Sequence, residues 1–461
     1  MKLLKSKNAE NILRIIFTIL TQGSLGIMSF LTTIILPNIM GPAQYGYMQK
    51  FVFYLSYLNV LSLGFNDGLT LNYAGKQNAS TTKLRSALFI QIIYSGILTG
   101  LFLMIAFTIK DSANKFIVIM LGINVLPTII ICIINGIILA EGKTFLYNIS
   151  TIAQRLIFCV WIIVFLVSDN NSFQYMITAN TIGNILCLFW LFVIYRKYFI
   201  GKKATWKEGA IECKKLYFSG IQISLSVILL SLFPAFGRIL IERFETIEIY
   251  GIYSFYISLL SIALTFTNAV GVIAFPMIKQ LSQDAIPTLY IKMERIYRVI
   301  GLLIFLCYFL IYFYIKKFLN AYVEGLNYLP ILLLLCYPMG KIQVLMTPIY
   351  KTYRKEKNFF ILNLISIILL ILIEGVIFFF SRSVFAVAWV TSIMVYFFYI
   401  ILNIYAPIEI KKHLSAEMIW DYLIPFVFLL GSTCSNIWLF LILFTVFSLI
   451  CIFIWKKKRM I

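Results

Sequence analysis

Charge is scarce in this sequence and histidine is nearly missing: 12% of the 461 residues are charged, and the one histidine, His413, lies in the stretch IEIKKHLSAE. A water-soluble globule carries about 25% charged residues, so this chain has too little polar surface to face water over its length. The same scarcity removes several chemistries. A lone imidazole, expected in a solvated loop, cannot build a histidine metal site, and no metal or cofactor is expected. The eight cysteines are scattered singly, most of them inside apolar runs such as IICII and FLCYFL, with no C-x-x-C pair. Free thiols in lipid are their expected state. AGKQNAS lacks the spacing of a phosphate-binding glycine loop, and no paired carboxylates recur near the end of an apolar run. The chain is not expected to be an enzyme.

What is present is apolar: 61% of residues are hydrophobic and 16% aromatic. Backbone amides in lipid must be satisfied within their own segment, so apolar runs of about 20 residues read as helices. The expectation is an all-α integral membrane protein of about fourteen spans, at 11–36, 47–66, 86–108, 116–139, 146–167, 173–195, 219–241, 249–275, 296–315, 327–350, 359–380, 384–405, 418–434 and 437–455. The thirteenth is the weakest, since Trp420 and Asp421 shorten its apolar core. With the N-terminus inside, 29 of the 39 Lys and Arg fall on the inner face and 7 on the outer. That asymmetry is the one expected of a cytoplasmic-membrane protein with both termini inside. It also explains the net charge of +21 without nucleic acid, leaving membrane lipids as the partner of the basic face. The first apolar run is too long for a signal peptide, and no cleavage site follows it. The longest loop, 196–216, is expected to lie as an amphipathic segment on the inner surface.

The chain repeats itself. LPNIMGPAQYGYMQKFVFYLSYL after span 1 corresponds to LIERFETIEIYGIYSFYISLLSI after span 7, each placing Tyr-Gly ahead of an aromatic-rich helix. A glycine is expected to help the chain turn there from loop into helix. AEGKTFLYNISTI, entering span 5, parallels YRKEKNFFILNLISII, entering span 11. Spans 1–6 and 7–12 therefore read as two six-helix copies in the same orientation. The expected organisation is an N-lobe (1–196), a basic linker (197–216), a C-lobe (217–406) and a C-terminal helix pair (407–461).

The phrase ILPNIMGPAQYGYMQ followed by LSLGFNDGLTLNYAG, the stretch LYFSGIQISLSVILLSLFPAFGRILIERFETIEIYGIYSFYISL, and GKTFLYNISTIAQRL together resemble the bacterial polysaccharide (oligosaccharide) flippases. These are relatives of the multidrug and toxic compound extruders and of the lipid II flippases. The resemblance covers nearly the whole chain. It implies a two-lobed transporter with a central cationic cavity, which reorients an undecaprenyl-diphosphate-linked oligosaccharide from the inner to the outer leaflet by alternating access. It further implies that the extra helix pair helps hold the lipid tail, and that glycan polymerase and other assembly proteins are partners. The family often has Asp-Arg near the end of span 7, where this chain has Gly237-Arg238.

Charges inside spans are the candidate cargo residues, because each costs about 2.5–3.5 kcal/mol at mid-bilayer on insertion scales and persists where it meets a cavity or a partner. At 1.5 Å per residue, Arg155 and Lys341 each lie about 13 Å into spans 5 and 10. Lys50 and Arg238 lie about one turn from the outer ends of spans 2 and 7, where snorkelling is the alternative, and Arg14 sits at the inner end of span 1. The alternative for Arg155 and Lys341 is pairing with a carboxylate or with backbone carbonyls. Glu374 is the acid deep in a span, suited to ion coupling or to neutralising Lys341 or Lys50. Pro234, Pro276, Pro338 and Pro348 are expected to bend their helices. The competing functions are a multidrug extruder, an integral glycan polymerase and a non-transporting scaffold. The several cations favour an anionic cargo over a cationic drug.

Overall fold

The computed structural model describes residues 2–74, 81–167, 172–279, 285–411, 419–434 and 436–457, with side-chain placement beginning at Thr21. Every regular element among them is helical. α1 (Lys2–Tyr57) holds two of the expected spans and breaks at Gly41, where φ is +70°. A residue without a Cβ enters that region cheaply, and Pro42 after it brings no N–H needing a partner. The turn expected at Gly46 thus occurs five residues earlier, and Gly46 and Gly251 both sit inside helices. The second span also ends early: a 3-10 turn at Leu58–Ser62 leads through left-handed Leu63 and Gly64 into α2 (Phe65–Tyr73).

The chain continues through α3 (Thr81–Thr108), α4 (Ser112–Ala140), α5 (Thr144–Val167), α6 (Phe173–Tyr195), α7 (Trp206–Phe244), α8 (Ile247–Lys279) and α9 (Ile286–Phe318). α10 (Leu329–Lys341) passes through a π turn at Ile342–Met346 into α11 (Thr347–Thr352). α12 (Glu356–Ser381), α13 (Val384–Ile404), the short α14 (Ile408–Lys411), α15 (Ile419–Ser432) and α16 (Ile437–Lys457) complete it. With α10, the π turn and α11 counted as one run, Leu329–Thr352, twelve helices among the described residues are long and apolar enough to cross a membrane, and α15 is a shorter apolar helix. Since α1 contains two segments, this agrees with about fourteen spans, and the protein is a multi-pass membrane protein.

Local chemistry explains several boundaries. Asp111 caps α4 by accepting from the Asn114 N–H, and Ser383 caps α13 through the Ala386 N–H. Thr205 and Glu208 form a reciprocal capping box at the start of α7. Residues 206–216 are therefore the first turns of a 39-residue helix rather than a separate surface segment. α7 runs through Pro234 without interruption. The π turn precedes Pro348, which has no N–H to continue an α ladder, and Thr347 fills the wide turn by donating its hydroxyl to the Ile342 carbonyl at 2.8 Å.

Two compact units, Met1–Ile228 and Leu229–Ile461, meet in sequence within α7. In the first unit α4 is the inner helix, packed by α2, α3 and α6, while α5 packs on α1 and α6. In the second, every residue of α10 is buried; α8, α9, α13 and α15 surround it, and α12 packs on α13. The third and fourth spans, the fourth and sixth, and the fifth and sixth pair in both units, as expected of a repeated six-helix design. Tyr45 and Tyr250, the repeated tyrosines, are both fully buried. Whole helix faces of Ile, Leu, Phe and Val remain exposed, as on α3, α12 and α16, which suits lipid as the solvent.

The turn between α4 and α5 is fastened by Glu141. It accepts from Tyr195 and Tyr198 at 3.0 and 2.5 Å and pairs with Lys143 and Lys197 at 2.8 and 3.5 Å. Partial burial raises its pKa, but Lys143 and the two tyrosine hydroxyls outweigh burial and bring it down to about 2.

Candidate functional site

In the first unit, α5 carries Arg155 beside Gln154. The Gln154 amide donates to Asn184 Oδ1 on α6, Asn184 donates to Asn124 Oδ1 on α4 at 2.7 Å, and Asn124 donates to Thr181 Oγ1 at 2.8 Å. Interhelical amide bonds of this kind fix helix rotation where lipid gives the helices no hydrophobic reason to choose one. They set where Arg155 points. Its side chain is exposed and forms no hydrogen bond or ion pair with any described residue. On the helical wheel it shares a flank with Asn148 and Thr151, about 80° or more from the apolar ridge of Leu156, Val160 and Ile163. An unpaired guanidinium on a polar flank can take an anion through two parallel hydrogen bonds.

Lys50 stands elsewhere in this unit. Its Nζ donates to Asn114 Oδ1 at 2.7 Å, at the capped start of α4, so the ammonium is half-buried and partnered. Arg14 and His413 lie outside the residues whose side chains are described.

In the second unit Lys341 is wholly buried and engaged by carboxylates. Its Nζ lies 2.5 Å from Asp421 Oδ1 and 3.4 Å from Glu294 Oε1. Arg298 completes a buried quartet, with Nη2 3.5 Å from Glu294 and Nε 3.7 Å from Asp421. The carboxylate pairing weighed for Lys341 is what the geometry contains, but its partners are Asp421 and Glu294 rather than Glu374.

Glu374 occupies a different corner. It is buried, accepts from Thr391 Oγ1 at 3.3 Å, and its other oxygen finds no hydrogen-bond partner among the described residues. A Cβ on Gly237 would come within 2.7 Å of Glu374 Oε1. The space beside Gly237 is shared by the Val387 methyl of α13 at 2.6 Å, this carboxylate of α12, and the Tyr253 hydroxyl at 3.2 Å. Arg238 follows, its Nε bonded to Ser254 Oγ at 3.3 Å and its guanidinium 5.9 Å from the Tyr250 ring.

Of the six sequence candidates, then, Arg155 is open, Lys50 and Arg238 are tied to polar neighbours, Lys341 is enclosed by acids, Glu374 is buried beside Gly237, and Arg14 is not described. Glu294 and Arg298 lie near an expected span end, where charges are ordinary, and Asp421 reads from the sequence only as a break in the apolar core of its span. The i, i+4 pairing of Glu294 with Arg298 was the available signal. Among the described residues no group of three or more His, Cys, Asp or Glu is placed to hold a metal ion.

Comparison with solved structures shows the fold. The chain superposes on lipid II flippase MurJ in an inward closed conformation with a TM-score of 0.64 at 17% identity, over 97% of this chain and 99% of that one. It matches an inward-facing multidrug resistance MATE family transporter of the MOP superfamily with the same TM-score at 11% identity, over 87% and 99%. A MOP superfamily transporter from Pyrococcus furiosus matches at 0.53 and 13% identity, over 85% and 94%. A search of curated proteins finds no match. The sequence pattern of the polysaccharide biosynthesis protein family matches residues 12–282, more than half of the chain, and the protein belongs to that family.

Proposed function

We propose that this protein is a flippase that moves an undecaprenyl-diphosphate-linked oligosaccharide from the inner to the outer leaflet of the cytoplasmic membrane by alternating access. The observation that carries this reading is Arg155. A guanidinium within a span costs about 2.5–3.5 kcal/mol unless a polar passage or a partner receives it, and this one has no protein partner among the described residues. Family membership in polysaccharide biosynthesis supplies the glycan, and a MOP-type transporter fold supplies a scaffold suited to passage. The arginine supplies affinity for a diphosphate. Lys50, Arg238 and Arg14 are secondary attractors of the anionic headgroup. Glu374, a carboxylate with one oxygen free of hydrogen-bond partners among the described residues, is the group for a coupling proton or sodium ion.

The test is surface-glycan display in cells carrying Arg155→Ala and Arg155→Lys. A charge-assisted bidentate contact worth about 1.5–3 kcal/mol should cost roughly 10- to 150-fold in transport when removed, with partial recovery by lysine and unchanged protein accumulation. Lipid-linked sugar should build up on the inner leaflet. Wild-type display by both variants would refute the cationic site. Increased drug sensitivity of a deletion strain, with glycan display intact, would select the extruder reading that the MATE-like fold also permits.

A further inference from the structure

The C-terminal helix pair poses its own problem. α15 has 14 residues, about 21 Å of helix, against a hydrocarbon core of about 30 Å, so its length alone does not set its depth. Its apolar contacts do not set it either. Phe428 stacks on Phe305 of α9 at 4.5 Å, Phe440 of α16 lies 4.8 Å from Phe309, and Trp438 lies 4.7 Å from Phe313. Such faces adhere, but in lipid they gain little by choosing one register over another, because the surrounding tails are equally apolar.

Asp421, in the first turn of α15, is fully buried and does discriminate. Tyr337 and Tyr399 donate to its two oxygens at 3.0 and 2.8 Å, Lys341 bonds at 2.5 Å, and Arg298 Nε lies at 3.7 Å. Those donors come from α9, α10 and α13. Without α15, the Lys341 ammonium would keep Glu294 at 3.4 Å and lose its 2.5 Å partner, and the Tyr337 and Tyr399 hydroxyls would lose the acceptor they share.

We propose that Asp421 is a register key: it fastens the C-terminal helix pair to the second unit at one depth and rotation, so that α15 moves with α9, α10 and α13 as one body. Lys341 is then a positioning residue for this dock rather than a cargo ligand. The inference does not depend on what the protein transports.

The experiment uses the full chain with its eight native cysteines replaced and the pair Phe305→Cys and Phe428→Cys introduced, two helical turns from Asp421. The probe is mercuric ion, and bridging is read as loss of free thiols to a maleimide mass tag. With Asp421 present, bridging should be near complete. With Asp421→Ala it should fall at least threefold. Removing Asp421 takes the 2.5 Å partner from buried Lys341, a strongly destabilising change, so the same reading is taken in Asp421→Ala/Lys341→Met, which removes that ammonium as well and should accumulate while still bridging poorly. Bridging at the parent level in the double variant would show that the aromatic contacts still present, Phe440 with Phe309 and Trp438 with Phe313, set the register without Asp421, and would overturn the proposal.

Discussion

The crossing of α2 over α7 in the first unit gives the sharpest test of the packing. A Cβ added at Gly68 would sit 1.9 Å from the Leu216 carbonyl oxygen, and one at Gly220 would sit 1.9 Å from the Gly64 carbonyl oxygen. Ordinary contact begins at 3.4 Å, so each substitution is about 1.5 Å short of room, and the opposing atoms are backbone that no rotamer change can move. Overpacking costs about 1–3 kcal/mol, and a backbone clash belongs at the upper end. Alanine returns about 1 kcal/mol through its higher helix propensity, leaving a net loss of roughly 2 kcal/mol for Gly68→Ala or Gly220→Ala. Gly100, in α3, has nothing within 4 Å of its added Cβ, so Gly100→Ala should gain about 1 kcal/mol. In a body of this size 1 kcal/mol moves Tm by about 2–4 °C. The two classes should therefore separate by roughly 6–12 °C in thermal unfolding of the purified protein in detergent. Equal shifts for Gly68→Ala and Gly100→Ala would refute the close crossing.

Glu141 predicts a pH signature. Its folded pKa is lowered from 4.5 to about 2, so its contribution is fully present above about pH 4.5 and is lost as pH falls through 2. Wild type should melt above Glu141→Gln at pH 7, and the two should converge between about pH 4.5 and 2. Asn184→Ala removes the acceptor of Gln154 and the donor to Asn124. With buried amides left unpaired at about 1–3 kcal/mol, Tm should drop and Arg155-dependent transport should weaken with it, whereas unchanged transport would separate the amide ladder from the cargo site. Glu374→Gln keeps the shape beside Gly237 and removes the titratable charge. Glycan display should lose its dependence on proton or sodium gradients in that variant, and a retained dependence would place coupling elsewhere.

The architecture was legible because lipid imposes one rule on every segment, and the rule acts locally: twenty apolar residues satisfy their own backbone whatever surrounds them. What escaped the reading was long-range. Gly41, not Gly46, makes the turn inside α1, and only backbone angles distinguish two glycines five residues apart. The amide ladder of Gln154, Asn184 and Asn124 carries no charge, so a search for charged residues within spans passed over the groups that aim Arg155. Lys341 is visible in the sequence as a cation within a span, but Asp421 lies 80 residues further along the chain, where it reads as a residue that shortens an apolar core. The same residue that shortens the apolar core of α15 is the one that docks it. A polar group at the end of a short apolar helix therefore has two readings, a span that fails or a span that is fastened, and the hydrogen-bond donors on the helices around it decide between them.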